Sequence, residues 1–453
     1  MIGPGRIPRC DPLSRFRLKQ CGPDVKVTPG LGSGEVPTEY WGSCMVLSQL
    51  VSDPIKKDSL AALEGERAQH MANFLSQALG DGPGRATDSS RRGVLRVLSR
   101  LTKSIETLPT RLQLADNLQC SLSDPDRLDP SGFCRVYEGG LGGAQPGKVR
   151  VKVAAISLAN TQEWNSNLLR KLIKHVIFSA HVSHPNILPI YGFFHHPSYK
   201  ICVVSPWMDH NLKEHLLNQS YHTKVSPEDR LLFMLDIISG LEYLHNSQIV
   251  HRDIRAENIF VSREGRALLT NFGASRIQDF NNLRRSTGSA FWMAPELYNG
   301  EKPSAQSDIW AFACTCYKVR RTFVILENLD TCIKQALKIV VRSPPFRLDY
   351  KTLFQMESFF LEGGKVIPPK PGVIIDTWSK GQQKVWDQVL MAKCWQRHPN
   401  KRPETRAVRR SFQKLNIPDK RRGPSKFLKP PRIDSQIDYE LVHQTLLEVM
   451  FLS

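Results

Sequence analysis

The chain has 453 residues, 41% of them hydrophobic and 23% charged, which is an ordinary composition for a folded globular protein. Its formal net charge is +19, and much of the excess lies near residues 91–100 and 406–432. Aromatic residues are not interleaved with these cations, so a solvated basic surface is favoured over nucleic-acid binding, which stays the remoter alternative. The sequence contains no run of about 18 apolar residues, so no membrane span is predicted. Ten cysteines without a C-x-x-C pair indicate reduced thiols in the cytoplasm or nucleus and exclude a zinc-finger pattern.

The first quarter of the chain divides into two parts. Residues 1–54 are rich in Gly and Pro with little periodicity, and we expect an irregular segment. Residues 55–115 form a predicted helical flank, with one helix from Ser59 to Leu79 and another from about Arg91 to Thr107.

The next segment shows strand alternation. Residues 149–153 read Val-Arg-Val-Lys-Val, which places the valines on one face and Arg150 with Lys152 on the other. A solvent-facing Lys152 and a later register, which would put Ser157 in its place, both stay open.

Further along, three short motifs follow one another in order. A helix from Leu231 to His245 precedes His251-Arg252-Asp253, with Asn258 five residues after the aspartate. This spacing, H-R-D-x-x-x-x-N, is typical of a protein-kinase catalytic loop. Two short strands then lead to Asn271-Phe272-Gly273, and Ala294-Pro295-Glu296 follows at the distance expected for the end of an activation segment.

From about Cys120 to about Lys414 the chain resembles a eukaryotic protein kinase of the tyrosine-kinase-like serine/threonine group. The hinge residues and a helix ending at Leu108-Pro109 also resemble kinase-like proteins of mushroom-forming fungi. The resemblance implies an α+β, bilobal fold, with a small antiparallel N-lobe sheet, one N-lobe helix and a larger, mainly helical C-lobe. It places this domain at residues 116–415 and implies that Arg402 pairs with Glu296.

The resemblance also implies roles for individual residues. Those expected in catalysis are Asp253, Arg255 and Asn258; in metal binding, Asn258 and Asn271; and in nucleotide binding, Lys152, Val136, Ser205, Trp207 and Met208. The implied cofactors are ATP and Mg²⁺, bound weakly or not at all, and the implied partners are the nucleotide and a protein substrate or signalling partner.

Four departures from the family pattern surround this site. Asn271 stands where a metal-binding aspartate is expected, and a neutral amide is a poorer ligand for a hard cation. Residues 129–134 keep no glycine in the three required places of the phosphate-covering loop. Arg150 replaces a small alanine beside the adenine ring, where it would partly fill the pocket unless it swings out. His175 falls where the helix glutamate should be, and Glu163 lies about three turns too early to replace it.

These departures favour a kinase-like signalling regulator with impaired phosphoryl transfer, or a catalytically dead scaffold, over a slow kinase that uses Lys152, Asp253 and Asn258. If the chain is active, Gly288-Ser289 favours transfer to serine or threonine. Phosphorylation at Ser275, Ser286 or Thr287 would supply a partner for Arg252.

Two segments of the C-terminal part need separate description. The central helix of the C-lobe is expected to end near Tyr317, and residues 319–342 are either a genuine insertion or translated intron sequence. Residues 416–453 form a basic tail, extended over 418–431, and an amphipathic helix from Tyr439 to Phe451 that folds back on the body or binds a partner.

Overall fold

The structure is a computed structural model that describes residues 38–80, 88–114, 118–119, 127–128, 134–141, 147–154, 162–196, 199–217, 225–271, 292–326, 379–424, 427 and 436–452. The predicted phosphate-covering loop up to residue 133, the activation-segment phosphosites and Gly288-Ser289 lie outside the described residues, as do residues 1–37 and 327–378.

The N-lobe strands are β1 (Leu118–Gln119), β2 (Arg127–Leu128), β3 (Cys134–Leu141), β4 (Gly147–Ala154), β5 (Gly192–His196) and β6 (Tyr199–Pro206). They pair antiparallel in the order β1-β3-β4-β6-β5, and β2 also pairs with β3. The valines of β4 lie in a buried cluster with Tyr137, Cys202 and Val204, as the alternation of β4 predicts. The opposite face of β4 therefore carries Arg150 and Lys152 toward the space between the lobes.

One described helix belongs to the N-lobe, α5 (Gln162–Ala180), which packs against β4, β5 and β6. The next helices are α6 (Leu212–Leu217) and α7 (Pro227–Asn246). Helix α7 begins with a capping box: the Ser226 hydroxyl accepts from the Asp229 amide, and the Asp229 carboxylate accepts from the Ser226 amide. The described part of the chain thus confirms the expected α+β, bilobal kinase fold.

The C-lobe continues through a small sheet and further helices. Strands β7 (His210–Asn211), β8 (Ile259–Val261) and β9 (Ala267–Leu269) pair antiparallel. The remaining elements are α8 (Pro295–Tyr298), α9 (Ala305–Leu326), α10 (Lys380–Val385), a π-helical segment (Trp386–Cys394) and α11 (Thr405–Gln413). Arg402 donates to both Glu296 carboxylate oxygens at 2.7 Å, which confirms the predicted buried ion pair.

The flank consists of α1 (Thr38–Leu50), α2 (Pro54–Ala61), α3 (Gly65–Ala78) and α4 (Asp88–Ser104). Helix α4 packs along α5, where Arg170 Nε lies 3.1 Å from Glu106 Oε1. At the end of α5, the Ser76 hydroxyl hydrogen-bonds His181 Nε2 at 3.0 Å and Arg91 donates to the His181 carbonyl at 2.8 Å. The flank therefore holds α5 along its length and at its C-terminal end.

The C-terminal segment crosses the molecule and ends on the flank. Arg421 donates to the buried Asp236 carboxylate at 2.8 Å, and Phe427 packs against the N-lobe core cluster. The last helix, α12 (Tyr439–Met450), packs on α1 and α3, and its Tyr439 hydroxyl donates to Gln77 at 2.9 Å. Of the two alternatives for this helix, the structure shows that it folds back on the body.

Three predicted boundaries are corrected. Residues 38–50, expected to be irregular, form α1, because the Gly- and Pro-rich composition is concentrated before residue 38. The helix predicted over 59–79 is broken between α2 and α3, where Gly65 has φ +60°, a conformation that favours glycine. Helix α9 continues past Tyr317 to Leu326, since its apolar pattern runs on into the segment read as an insertion.

Within the described ranges, no helix has the length and apolar character that a bilayer crossing requires.

Candidate nucleotide and metal site

A short hairpin brings two asparagines together. Strands β8 and β9 pair Ile259 with Leu269, so the residues just outside this pair face each other across the hairpin. The Thr270 amide donates to the Asn258 carbonyl at 3.1 Å, and Asn271 follows directly. Asn271 has φ +64°, a left-handed conformation that asparagine tolerates better than most residues.

The buried carboxylate of Asp308 holds the loop that precedes this hairpin. Asp308 of α9 accepts the backbone amides of His251 and Arg252 at 2.7 and 2.8 Å, and His245 Nε2 lies 2.9 Å from the same carboxylate. Arg252 has φ +73°, which is strained for a side chain of this size. Charge-assisted bonds from both amides offset that strain and fix the position of Asp253, which follows.

Four predicted site residues meet in one hydrogen-bonded chain that joins the lobes. Lys152 Nζ donates to Asn271 Oδ1 at 3.0 Å, and Asn271 Nδ2 donates to Asn258 Oδ1 at 3.0 Å. Asn258 Nδ2 donates to Asp253 at 2.7 Å (Oδ2) and 2.9 Å (backbone O). We call these four residues the amide relay. All are buried.

The orientation of both amides in the relay follows from its ends. An ammonium group only donates and a carboxylate only accepts, so Asn271 must turn its oxygen to Lys152 and Asn258 must turn its NH₂ to Asp253. The inner contact then joins an NH₂ to an oxygen with no conflict. The relay runs from a cation in the N-lobe to an anion in the C-lobe, and each amide is satisfied on both sides.

The relay leaves a poor donor set for Mg²⁺. The amide oxygens of Asn258 and Asn271, the atoms expected to ligate metal, both accept hydrogen bonds from within the chain. Asp253 supplies the one carboxylate of the four, and it accepts from Asn258. Mg²⁺ requires near-octahedral oxygen ligands and favours carboxylates. Among the described residues no group of three or more His, Cys, Asp or Glu is placed to hold a metal ion. The residues present therefore do not fit Mg²⁺ in this arrangement.

Next to the relay, the Arg150 side chain of the N-lobe occupies part of the cleft. Arg150 is 8% exposed, and its guanidinium lies 5.4 Å from the centre of the Phe260 ring on β8. The cavity beside it measures about 10 Å³, which is room for about one water molecule. It is lined by Arg150, Lys152, His175, Leu188, Pro189, Ile190, Val203, Ser205 and Thr270.

The other predicted nucleotide-site residues lie on the strands that pair with β4 or directly after them. Val136 is buried and faces Lys152 in the β3–β4 register, while Ser205 is buried opposite Arg150. Trp207 and Met208 follow β6 and are half-buried. Because Lys152 is buried and bonded to Asn271, the solvent-facing alternative is wrong; Ser157, the residue of the later register, lies outside the described residues.

On α5, His175 occupies the place where an acidic partner for Lys152 was sought. It is buried and shares a hydrogen bond with Ser179 at 3.2 Å, and it lines the same cavity as Lys152. An imidazole there supplies no carboxylate. Lys152 instead has the Asn271 amide oxygen as a partner, so the lysine is bonded to the lower lobe through the relay.

Arg255 belongs to a network that sequence reasoning missed. Its Nε donates to Glu257 at 3.0 Å, and Lys318 donates to the same carboxylate at 3.0 Å. Both cations lie over the Trp292 ring, at 5.1 and 5.2 Å from its centre. Burial alone would raise the pKa of Glu257, but Lys318, Arg255 and Lys213 hold it below its ordinary value. The network ties the catalytic loop to the segment before α8, and nothing in the spacing of the sequence indicates it.

Comparison with known proteins now gives the family. A family model described as "Protein kinase domain" matches residues 139–412, more than half of the chain. The chain therefore belongs to the protein kinase family.

Individual relatives are distant. The chain is 26% identical to serine/threonine-protein kinase Aurora-1 of Arabidopsis thaliana over 197 residues, which is 43% of this chain and 65% of the relative. From the same plant, calmodulin-binding receptor-like cytoplasmic kinase 1 is 29% identical over 191 residues, or 40% of each chain. Serine/threonine-protein kinase CTR1 is 24% identical over 205 residues, or 44% of this chain and 24% of the relative. The chain thus spans less than two-thirds of the length of each of these three relatives.

Proposed function

We propose that this chain is a kinase-fold signalling regulator whose phosphoryl transfer to protein serine or threonine is strongly impaired. The observation that carries the proposal is the amide relay. The Asn271 oxygen accepts from Lys152 of the other lobe and the Asn258 oxygen accepts from Asn271, whereas a working kinase would need both positions for metal. The family membership supports a kinase-like function, and the impairment is our inference from the site.

The size of the impairment follows from the ligand that is missing. Phosphoryl transfer depends on positioning and on neutralising the charge of the phosphates, mostly through metal ions. Loss of one anionic metal ligand costs about 3 kcal/mol or more of transition-state stabilisation, which is over a hundredfold in rate. Metal binding would also compete with the hydrogen bonds that the Asn271 and Asn258 oxygens accept, which adds to this cost.

A slow kinase is the second candidate, and one observation favours it. Asp308 holds the loop that contains Asp253, and Asp253, at the end of the relay, is the residue that the family resemblance implies as the catalytic base. A scaffold has no chemical need for this carboxylate. Transfer would then use Lys152, Asp253 and Asn258, with ATP and Mg²⁺ bound weakly.

The experiment that separates the two candidates measures metal-nucleotide binding and transfer in the full chain. Thermal unfolding with ATP, with and without Mg²⁺, should show little metal-dependent shift, and radiolabel transfer to a general serine/threonine substrate should be absent or very slow. A Mg²⁺-dependent shift together with steady transfer that is abolished in Asp253→Asn would establish the slow kinase instead.

A further inference from the structure

Arg150 is a second departure from the kinase pattern, and it does not depend on Asn271. It extends from β4 in the N-lobe, and its guanidinium lies 5.4 Å from the centre of the Phe260 ring, which belongs to β8 in the C-lobe. The side chain therefore spans the cleft between the lobes. At 8% exposure it does not swing out into solvent.

A guanidinium suits this position because of its shape. It is flat and delocalised, and it stacks on aromatic faces as a heterocyclic ring does. Such a contact is stronger when it is removed from water, as it is here. In kinases a small residue at this place leaves room for the adenine ring, as the family resemblance implies. Here the flat group next to Phe260 is part of the chain.

We propose that the Arg150 guanidinium substitutes for the adenine ring, so that the two lobes close on each other without nucleotide. This inference deepens the proposed function and rests on it, since it describes how the same cleft is kept closed. Arg150 joins the lobes at the base-binding end of the cleft, and the amide relay joins them at the phosphate and metal end. A cavity lined by both Arg150 and Lys152 measures about 10 Å³ and is itself too small to hold a purine.

The test removes the guanidinium by substitution and then supplies adenosine to the slot that it leaves. Arg150→Ala should lower the unfolding temperature of the full chain by several degrees and leave a slot into which adenosine fits. Adenosine at millimolar concentration, in EDTA, should restore at least half of that loss in Arg150→Ala and should not shift the native protein. Adenosine carries neither phosphate nor metal, so it probes the base slot alone.

Arg150→Lys is the matched control, because it keeps the charge and removes the flat group. It should lose thermal stability and show a smaller adenosine response than Arg150→Ala. If Arg150→Ala does not fold, the lysine variant alone decides, since a stability equal to that of the native chain would overturn the proposal.

Other outcomes separate this inference from the proposed function. An Arg150→Ala chain that folds and ignores adenosine, or a native chain that binds adenosine as well as the variant does, would overturn the substitution by Arg150 and leave the metal argument intact. Stabilisation of the native chain by Mg²⁺ without nucleotide would overturn the proposed function and leave the filled base slot intact.

Discussion

Asn271→Asp is the substitution that most sharply perturbs the amide relay. The new carboxylate keeps the contact with Lys152 and turns it into an ion pair. Its second oxygen would face Asn258 Oδ1, where an NH₂ now donates at 3.0 Å. Two acceptors would then oppose each other at the centre of the relay unless a cation lies between them.

The expected magnitudes follow from these contacts. Without metal, a lost buried hydrogen bond with an unsatisfied acceptor costs about 1–3 kcal/mol, and the stronger Lys152 contact offsets part of it. With metal, the oxygens of residues 253, 258 and 271 become a plausible Mg²⁺ set. A dissociation constant near ~1 mM, tested at ~10 mM Mg²⁺, would stabilise the folded state by about 1.4 kcal/mol. That corresponds to roughly 2 °C in unfolding temperature for a chain of this size.

The assay is thermal unfolding of the native chain, Asn271→Asp and Asn271→Ala across a Mg²⁺ titration. The native chain and the alanine variant should not respond to Mg²⁺, and the alanine variant should be less stable than the native chain at every concentration. Only the aspartate variant should gain stability with metal, and ATP should increase that gain. Equal Mg²⁺ responses of the native chain and the aspartate variant would refute the reasoning.

Two further predictions concern the supports of the site. Glu296→Gln should destabilise the chain by about 3–5 kcal/mol in chemical denaturation, because it leaves the buried Arg402 charge uncompensated. The double variant Glu296→Gln/Arg402→Met should lose less stability than this single variant. A larger loss in the double variant would contradict the argument. Burial lowers the pKa of His181 to about 4, below its unfolded value near 6.5. Its contribution is therefore complete above about pH 6.5 and falls by about 3 kcal/mol as the pH drops toward 4. His181→Gln should flatten the stability profile over this window, and parallel profiles would show that the histidine does not titrate as proposed.

The flank explains how α5 keeps its place without an acidic residue at position 175. The helix is held by the Glu106–Arg170 pair at its side and by the bonds of Ser76 and Arg91 to His181 at its end. These contacts come from outside the matched kinase domain. A partner that bound or displaced the flank would therefore act directly on the N-lobe helix.

The sequence predicts the fold and the composition of the site to a considerable extent. The order of the motifs locates both lobes, and the alternation of β4 places Arg150 and Lys152 on the face away from the valine core. Asn271 can be identified as a departure because the spacing from the catalytic loop leaves little choice of register. These features are local, and short-range periodicity determines them.

The hydrogen bonding inside the site is not predictable in the same way. Whether Asn258 offers its oxygen to metal or to Asn271 depends on amide orientations that are set by Lys152 and Asp253 at the two ends. The docking of α12 on α1 joins residues about 400 positions apart, such as Ser43 and His443. No local pattern encodes such contacts, since they arise from tertiary packing.

The most direct test of the central claim is calorimetric titration of the native chain with Mg·ATP, with ATP in EDTA in parallel. Active enzymes have KM values of about 1 μM–1 mM, so a functional cleft would saturate within this range. If the amide relay takes the place of metal and Arg150 the place of the base, neither titration should saturate below about 1 mM. Saturable binding that requires Mg²⁺ and is lost in Asn271→Ala would contradict the account, because it would show that Asn271 serves metal.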